Sequence, residues 1–68
     1  MGGQNFVTPD DVGRRVSFAY EHPNGFQTEV VGILEDYDRA ADAYVVRNRD
    51  GALVNVPKLH VRYGKVVS

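Results

Sequence analysis

Phe26-Gln27-Thr28-Glu29-Val30-Val31-Gly32-Ile33-Leu34-Glu35 is the stretch that decides the fold. It opens with period-two alternation at Phe26, Thr28 and Val30, the mark of a half-buried strand. The phase then breaks at Val30-Val31 and again at Ile33-Leu34, with Gly32 between the two pairs. A strand that changes its buried face around a glycine is bent or bulged. Bends of that kind turn the corners of small barrels.

Upstream, Pro23-Asn24-Gly25 precedes this run. Asn and Gly tolerate positive φ and favour a tight hairpin, while Pro ends the strand before it. That earlier strand alternates Val16, Phe18 and Tyr20 with Arg15, Ser17, Ala19 and Glu21. Before it, Thr8-Pro9-Asp10-Asp11-Val12-Gly13 has the composition of a capped single turn. Val12 is expected to plug one end of the core. Downstream, Asp36 to Asp42 is polar and reads as a loop. Ala43 to Arg49 is a third strand, with Tyr44 and Val46 on one face and Val45 and the Arg47 stem on the other. Asp50-Gly51 is a second tight turn, and Ala52 to Val56 is a fourth strand that Pro57 stops. Pro57-Lys58-Leu59 suits one 3₁₀ turn before a last strand, Val61 to Val67, which contains Gly64. The expectation is all-β: a five-stranded small barrel over residues 8–68, with a short 3₁₀ turn before the last strand and a flexible N-terminal tip over 1–7.

The chain has 68 residues, 43% hydrophobic and 25% charged, so it is a single small globular domain without room for a core and a deep cleft. Cysteine is absent, which excludes disulfides and zinc-thiolate sites. His22 and His60 fall in a turn and beside the 3₁₀ turn, with no metal or relay spacing between them. No metal, no cofactor and no catalytic residue is therefore expected. Apolar runs are too short to span a membrane and no signal pattern opens the chain, so the expected compartment is the cytoplasm.

Net charge is −1, which opposes bulk attraction to nucleic acid. Residues 1–46 nevertheless carry −5 and residues 47–68 carry +4. Two poles of opposite sign can steer a partner. In the basic segment Lys58, Arg62, Tyr63 and Lys65 interleave an aromatic with cations, a pattern suited to a nucleic-acid strand or an acidic protein surface. Tyr37, set between Asp36 and Asp38, marks a candidate recognition loop. The candidate partner-binding residues are thus Tyr37, Arg47, Arg49, Lys58, Arg62, Tyr63 and Lys65.

The order of strands and turns over residues 12–67 resembles an SH3-like barrel. More narrowly, Val12-Gly13-Arg14-Arg15-Val16, His22-Pro23-Asn24-Gly25, Glu29-Val30-Val31-Gly32-Ile33-Leu34, Val45-Val46-Arg47-Asn48-Arg49-Asp50-Gly51 and Val54-Asn55-Val56-Pro57 resemble the SH3-like module at the N-terminus of actinobacterial GNAT-type acetyltransferases. The resemblance covers the module only, without the acetyltransferase domain, so acetyl transfer is not an expected activity. The chain also lacks the Trp with which eukaryotic SH3 domains read proline-rich peptides. A second likeness is to Sm-like RNA-binding proteins, carried by Gly32-Ile33-Leu34-Glu35-Asp36-Tyr37-Asp38. Their base-binding Asn corresponds to Asp42 here, and their Arg-Gly step to Pro57-Lys58. The resemblances imply a non-catalytic protein-interaction module, a small accessory protein of bacterial or phage origin, acting in the host cytoplasm if phage-encoded. The expected partner is a protein, with the chain a monomer or weak homo-oligomer. The alternative is an Sm-like, nucleic-acid-binding barrel that uses the basic 47–65 face.

Overall fold

A computed structural model describes residues 4–67. Its strands are β1 (Gln4–Asn5), β2 (Arg15–Glu21), β3 (Gln27–Asp38), β4 (Ala43–Asn48), β5 (Leu53–Pro57) and β6 (Val61–Val66). Single 3₁₀ turns occupy Pro9–Asp11 and Lys58–His60. The strands form one sheet in the order β1-β6-β2-β3-β4-β5. β1 runs parallel to β6 and every other pair is antiparallel. The architecture is all-β, as the alternation and turn signals imply. The 3₁₀ turn falls before the last strand, as expected.

The strand count is six rather than five. The added strand lies in the segment expected to be a loose tip. Gln4 sits opposite Tyr63 and Asn5 opposite Gly64, and the Phe6 N–H donates to the Gly64 carbonyl at 2.8 Å. Val7 is 2% exposed and joins the core. Residues 1–3 of the expected tip lie outside the described residues. Val12, expected to plug the core, is 49% exposed; Val7 takes that place. Among the described residues no ladder joins β1 to β5, so the sheet curls into a barrel-like shape without closing. Curling brings β5 against β2 across the core.

The alternation in β2 buries Val16, Phe18 and Tyr20. β4 buries Ala43, Tyr44 and Val46, and β5 buries Val56. The Phe18 and Tyr44 rings meet at 5.0 Å, and the Tyr44 hydroxyl donates to the Val7 carbonyl at 3.0 Å. Each fully buried Val, Leu or Phe side chain contributes about 1.5–3 kcal/mol. Both tight turns form where Asn24-Gly25 and Asp50-Gly51 stand, with φ of 92° at Gly25 and 84° at Gly51.

β3 departs from the expectation in one respect. Its inward face runs unbroken through Val30, Gly32 and Leu34. The phase changes farther on, where the register against β4 shifts between Leu34 and Asp36. Gly32 has a different role. A Cβ there would lie 2.1 Å from the Arg47 carbonyl oxygen, so β4 crosses it closer than any side chain permits. β3 also runs on to Asp38, which places Tyr37 on a strand instead of in the expected loop.

Candidate functional site

Inward positions are filled by core, so the candidate site residues are those on the outer face, and strand register determines which side chains share it. Arg15 on β2 pairs with Ile33 on β3, Ile33 with Arg47 on β4, and Arg47 with Leu53 on β5. One step along, Lys65 on β6 pairs with Ser17, and Ser17 with Val31. Arg49 follows directly after β4 on the same side. Tyr63 pairs with Ala19 in the next row. A two-residue apolar strip, Val31 and Ile33, therefore lies between Arg15 on one side and Arg47 and Arg49 on the other. Val31 is 50% exposed. A cleft of about 300 Å³ opens there, lined by Arg15, Val31, Gly32, Ile33, Arg47, Asn48 and Arg49.

Arg47 is held in place. Its Nε donates to Glu35 at 3.0 Å and its Nη1 to the Gly51 carbonyl at 2.8 Å, which clamps the β4–β5 turn. Arg15 and Arg49 make no ion pair or side-chain hydrogen bond among the described residues. They present free guanidinium groups to the cleft rim. Lys65 has its Nζ 6.0 Å from the Tyr63 ring centroid, so the aromatic–cation pairing read from the sequence is realised on this face.

The seven candidate residues do not form one site. Arg47, Arg49, Tyr63 and Lys65 share the outer face. Arg62 is turned to Glu21 at 3.0 Å, and Lys58 sits on the second 3₁₀ turn. Tyr37 lies at the far end of β3, its ring 4.9 Å from Tyr44. Arg15 belongs to the cleft but not to the sequence-derived set, because the charge count by halves placed it in the acidic segment. Its signal was present in the alternation of Arg15, Ser17, Ala19 and Glu21, which marks it as outward-facing.

A second group forms where the Sm-like positions meet. The Lys58 N–H donates to the Asp42 carbonyl at 2.9 Å, and Ala43 pairs with Pro57. The Tyr37 hydroxyl donates to the Asp42 carboxylate, and Arg39 lies 5.9 Å over the Tyr37 ring. That hydrogen bond to a carboxylate is the main reason the Tyr37 phenol is pushed up to about 12. Asp42 adopts φ of 56°, a left-handed conformation that Asp and Asn tolerate. The Sm-like elements are thus adjacent in space, but an acidic side chain stands where the resembled family has an amide.

His22 and His60, apart in the chain, line one depression with Tyr20, Glu21, Pro23, Asn55 and Pro57. His22 Nε2 lies 2.8 Å from the Thr28 hydroxyl. Among the described residues no group of three His, Cys, Asp or Glu side chains gathers to hold a metal, and no helix is long and apolar enough to cross a membrane.

No curated protein and no solved structure matches the chain. Residues 10–65 match the family model described as the Rv0428c N-terminal Sm-like domain, a span that runs from the first 3₁₀ turn to β6. The small, curved all-β sheet accords with that match, and the chain belongs to the Rv0428c N-terminal Sm-like domain family.

Proposed function

We propose that this chain is a non-catalytic module that binds a protein partner through the outer face of β2, β3, β4 and β6. The observation that carries the reading is the Val31–Ile33 strip, with Val31 exposed and Ile33 half-buried, rimmed by the unpaired Arg15 and Arg49. Exposed apolar area bordered by charge is the composition of a protein-binding surface. Arginine suits that rim, since it is weakly hydrated and bonds carboxylates through a planar fork. The likeness to modules that precede GNAT-type acetyltransferases fits a role in docking rather than in chemistry. A nucleic-acid reading draws on the Sm-like family and on the Arg47, Arg49 and Lys65 cations. Against it, the Tyr37 ring is engaged by Tyr44 and its hydroxyl by Asp42, which leaves a carboxylate where an anionic strand would approach.

The test is a photoreactive residue at position 53, an exposed β5 site beside Arg47, irradiated in a lysate of the source cell. The expected adduct resists nuclease, is destroyed by protease, and disappears in an Arg15→Glu/Arg49→Glu variant. A nuclease-sensitive adduct that disappears in the same variant would overturn the reading in favour of the Sm-like alternative.

A further inference from the structure

Resting on that reading, we infer that the cleft takes a short acidic segment of the partner in which an apolar side chain is flanked by carboxylates. The argument is charge complementarity over a defined geometry. Strands in a sheet are about 5 Å apart, so Arg15 and Arg47, two strands apart with Ile33 between them, stand roughly 10 Å apart at the backbone. Arg49, the first turn residue after β4, lines the same cleft as Arg47. Arg15 and Arg47 thus flank the intervening apolar strip from opposite sides. A ligand matching this surface places apolar area on Val31 and Ile33 and negative charge to either side.

Each part of the cleft supports one part of that ligand. Val31 and Ile33 point to the outer face while Gly32 between them is turned inward, so no side chain stands between the two along the strip. The volume of about 300 Å³ fits one or two side chains rather than a folded element. Glu35 is already paired with Arg47 at 3.0 Å. Arg15 and Arg49 then remain as unmatched charges, with Lys65 adding a third cation one row away. A bare polyanion would use the cations and leave the strip wet. A purely apolar segment would leave the guanidinium groups unpaired. A mixed segment uses both.

The probe is a fluorescent ten-residue peptide of glutamates carrying two leucines. Controls replace both leucines by serine, or all glutamates by glutamine. A single-stranded oligonucleotide of equal charge completes the set. Binding is followed by anisotropy and by amide chemical shifts of the labelled protein. The Glu/Leu peptide is expected to bind and to shift Arg15, Val31, Ile33 and Asn48, and to weaken as salt rises. Arg49→Glu is expected to weaken it roughly tenfold while leaving the dispersed spectrum of the fold intact. Arg49→Gln, the milder variant, keeps the comparison readable if the reversal disturbs the turn, and is expected to weaken binding by a smaller factor. Equal binding of the serine control, tighter binding of the oligonucleotide, or no binding by any probe would each overturn the inference. A protein adduct at position 53 that persists beside peptide failure removes the ligand assignment and leaves the docking function standing.

Discussion

Replacing Gly32 by Ala tests the packing that shapes both fold and cleft. The new Cβ would stand 2.1 Å from the Arg47 carbonyl oxygen, 2.8 Å from its carbon and 3.0 Å from the Asn48 Cα. All three atoms are backbone, so no side chain can swing away, and β4 must separate from β3 at the Gly32–Asn48 pair. Overpacking of this kind costs about 1–3 kcal/mol, and a lost ladder bond adds about 1 kcal/mol. The sum, about 3 kcal/mol, compares with a total stability of roughly 3–10 kcal/mol for a domain of this length. At about 4–8 °C per kcal/mol the melting temperature falls by some 12–24 °C. Thermal and urea unfolding followed by circular dichroism measure it. Gly51→Ala separates crowding from backbone preference. Nothing lies within 4 Å of a Cβ at Gly51, but φ is 84°, so its cost is conformational, about 1 kcal/mol. Should Gly32→Ala melt within 3 °C of the parent, or no lower than Gly51→Ala, the close approach of β4 is not what requires glycine, and the reasoning fails.

Three further outcomes follow from named contacts. Tyr44→Phe strands the Val7 carbonyl in the core and is expected to destabilise by about 1–2 kcal/mol, with faster hydrogen exchange at the Phe6 amide; an unchanged urea midpoint counts against that hydrogen bond. The Tyr37 phenol, raised to about 12 from an ordinary 10.0, is bound more tightly to its proton in the folded state. Its contribution to stability is therefore complete below pH 10 and lost as pH rises through 12. In a Tyr37-only phenolate titration, Asp42→Asn should bring the midpoint down, and no movement would remove Asp42 as the cause. Arg62→Ala breaks an exposed pair with Glu21, whose side chains are 50% and 39% exposed, and should cost at most about 0.5 kcal/mol in urea.

What was legible in the chain was what strong alternation and turn chemistry report. β2, β4, both glycine turns and the second 3₁₀ turn stand where those signals place them. Three features carried no such signal. The phase change in β3 falls on Glu35 and Asp36, both exposed, so no apolar residue marks it, and the double-apolar pairs around Gly32 drew attention to the wrong place. The choice of Val7 over Val12 as core plug depends on a two-residue parallel pairing of β1 with β6, a contact between chain ends that leaves no local pattern. The cleft depends on cross-strand register. Counting charge along the chain separated Arg15 from Arg47 by a whole segment, whereas the β2–β3–β4 ladder places them on either side of Ile33.

The same register is why the proposed docking surface is the outer face and not the Sm-like corner. A ligand stacking on Tyr37 must compete with the Tyr44 ring, with Arg39 and with a hydrogen bond to Asp42 that already holds the phenol proton. Anything gained there is offset by interactions given up. Arg15 and Arg49 surrender no ion pair when a carboxylate arrives, and Val31 loses only its contact with water. Arg47 is prepositioned by Glu35 and the Gly51 carbonyl, so little side-chain freedom remains to be lost on binding. The basic pole of the sequence thus divides by cost: Arg62 is committed to Glu21 and Lys58 belongs to the other corner. Arg47, Arg49 and Lys65, joined by Arg15, form the part of it on which a new contact displaces the least.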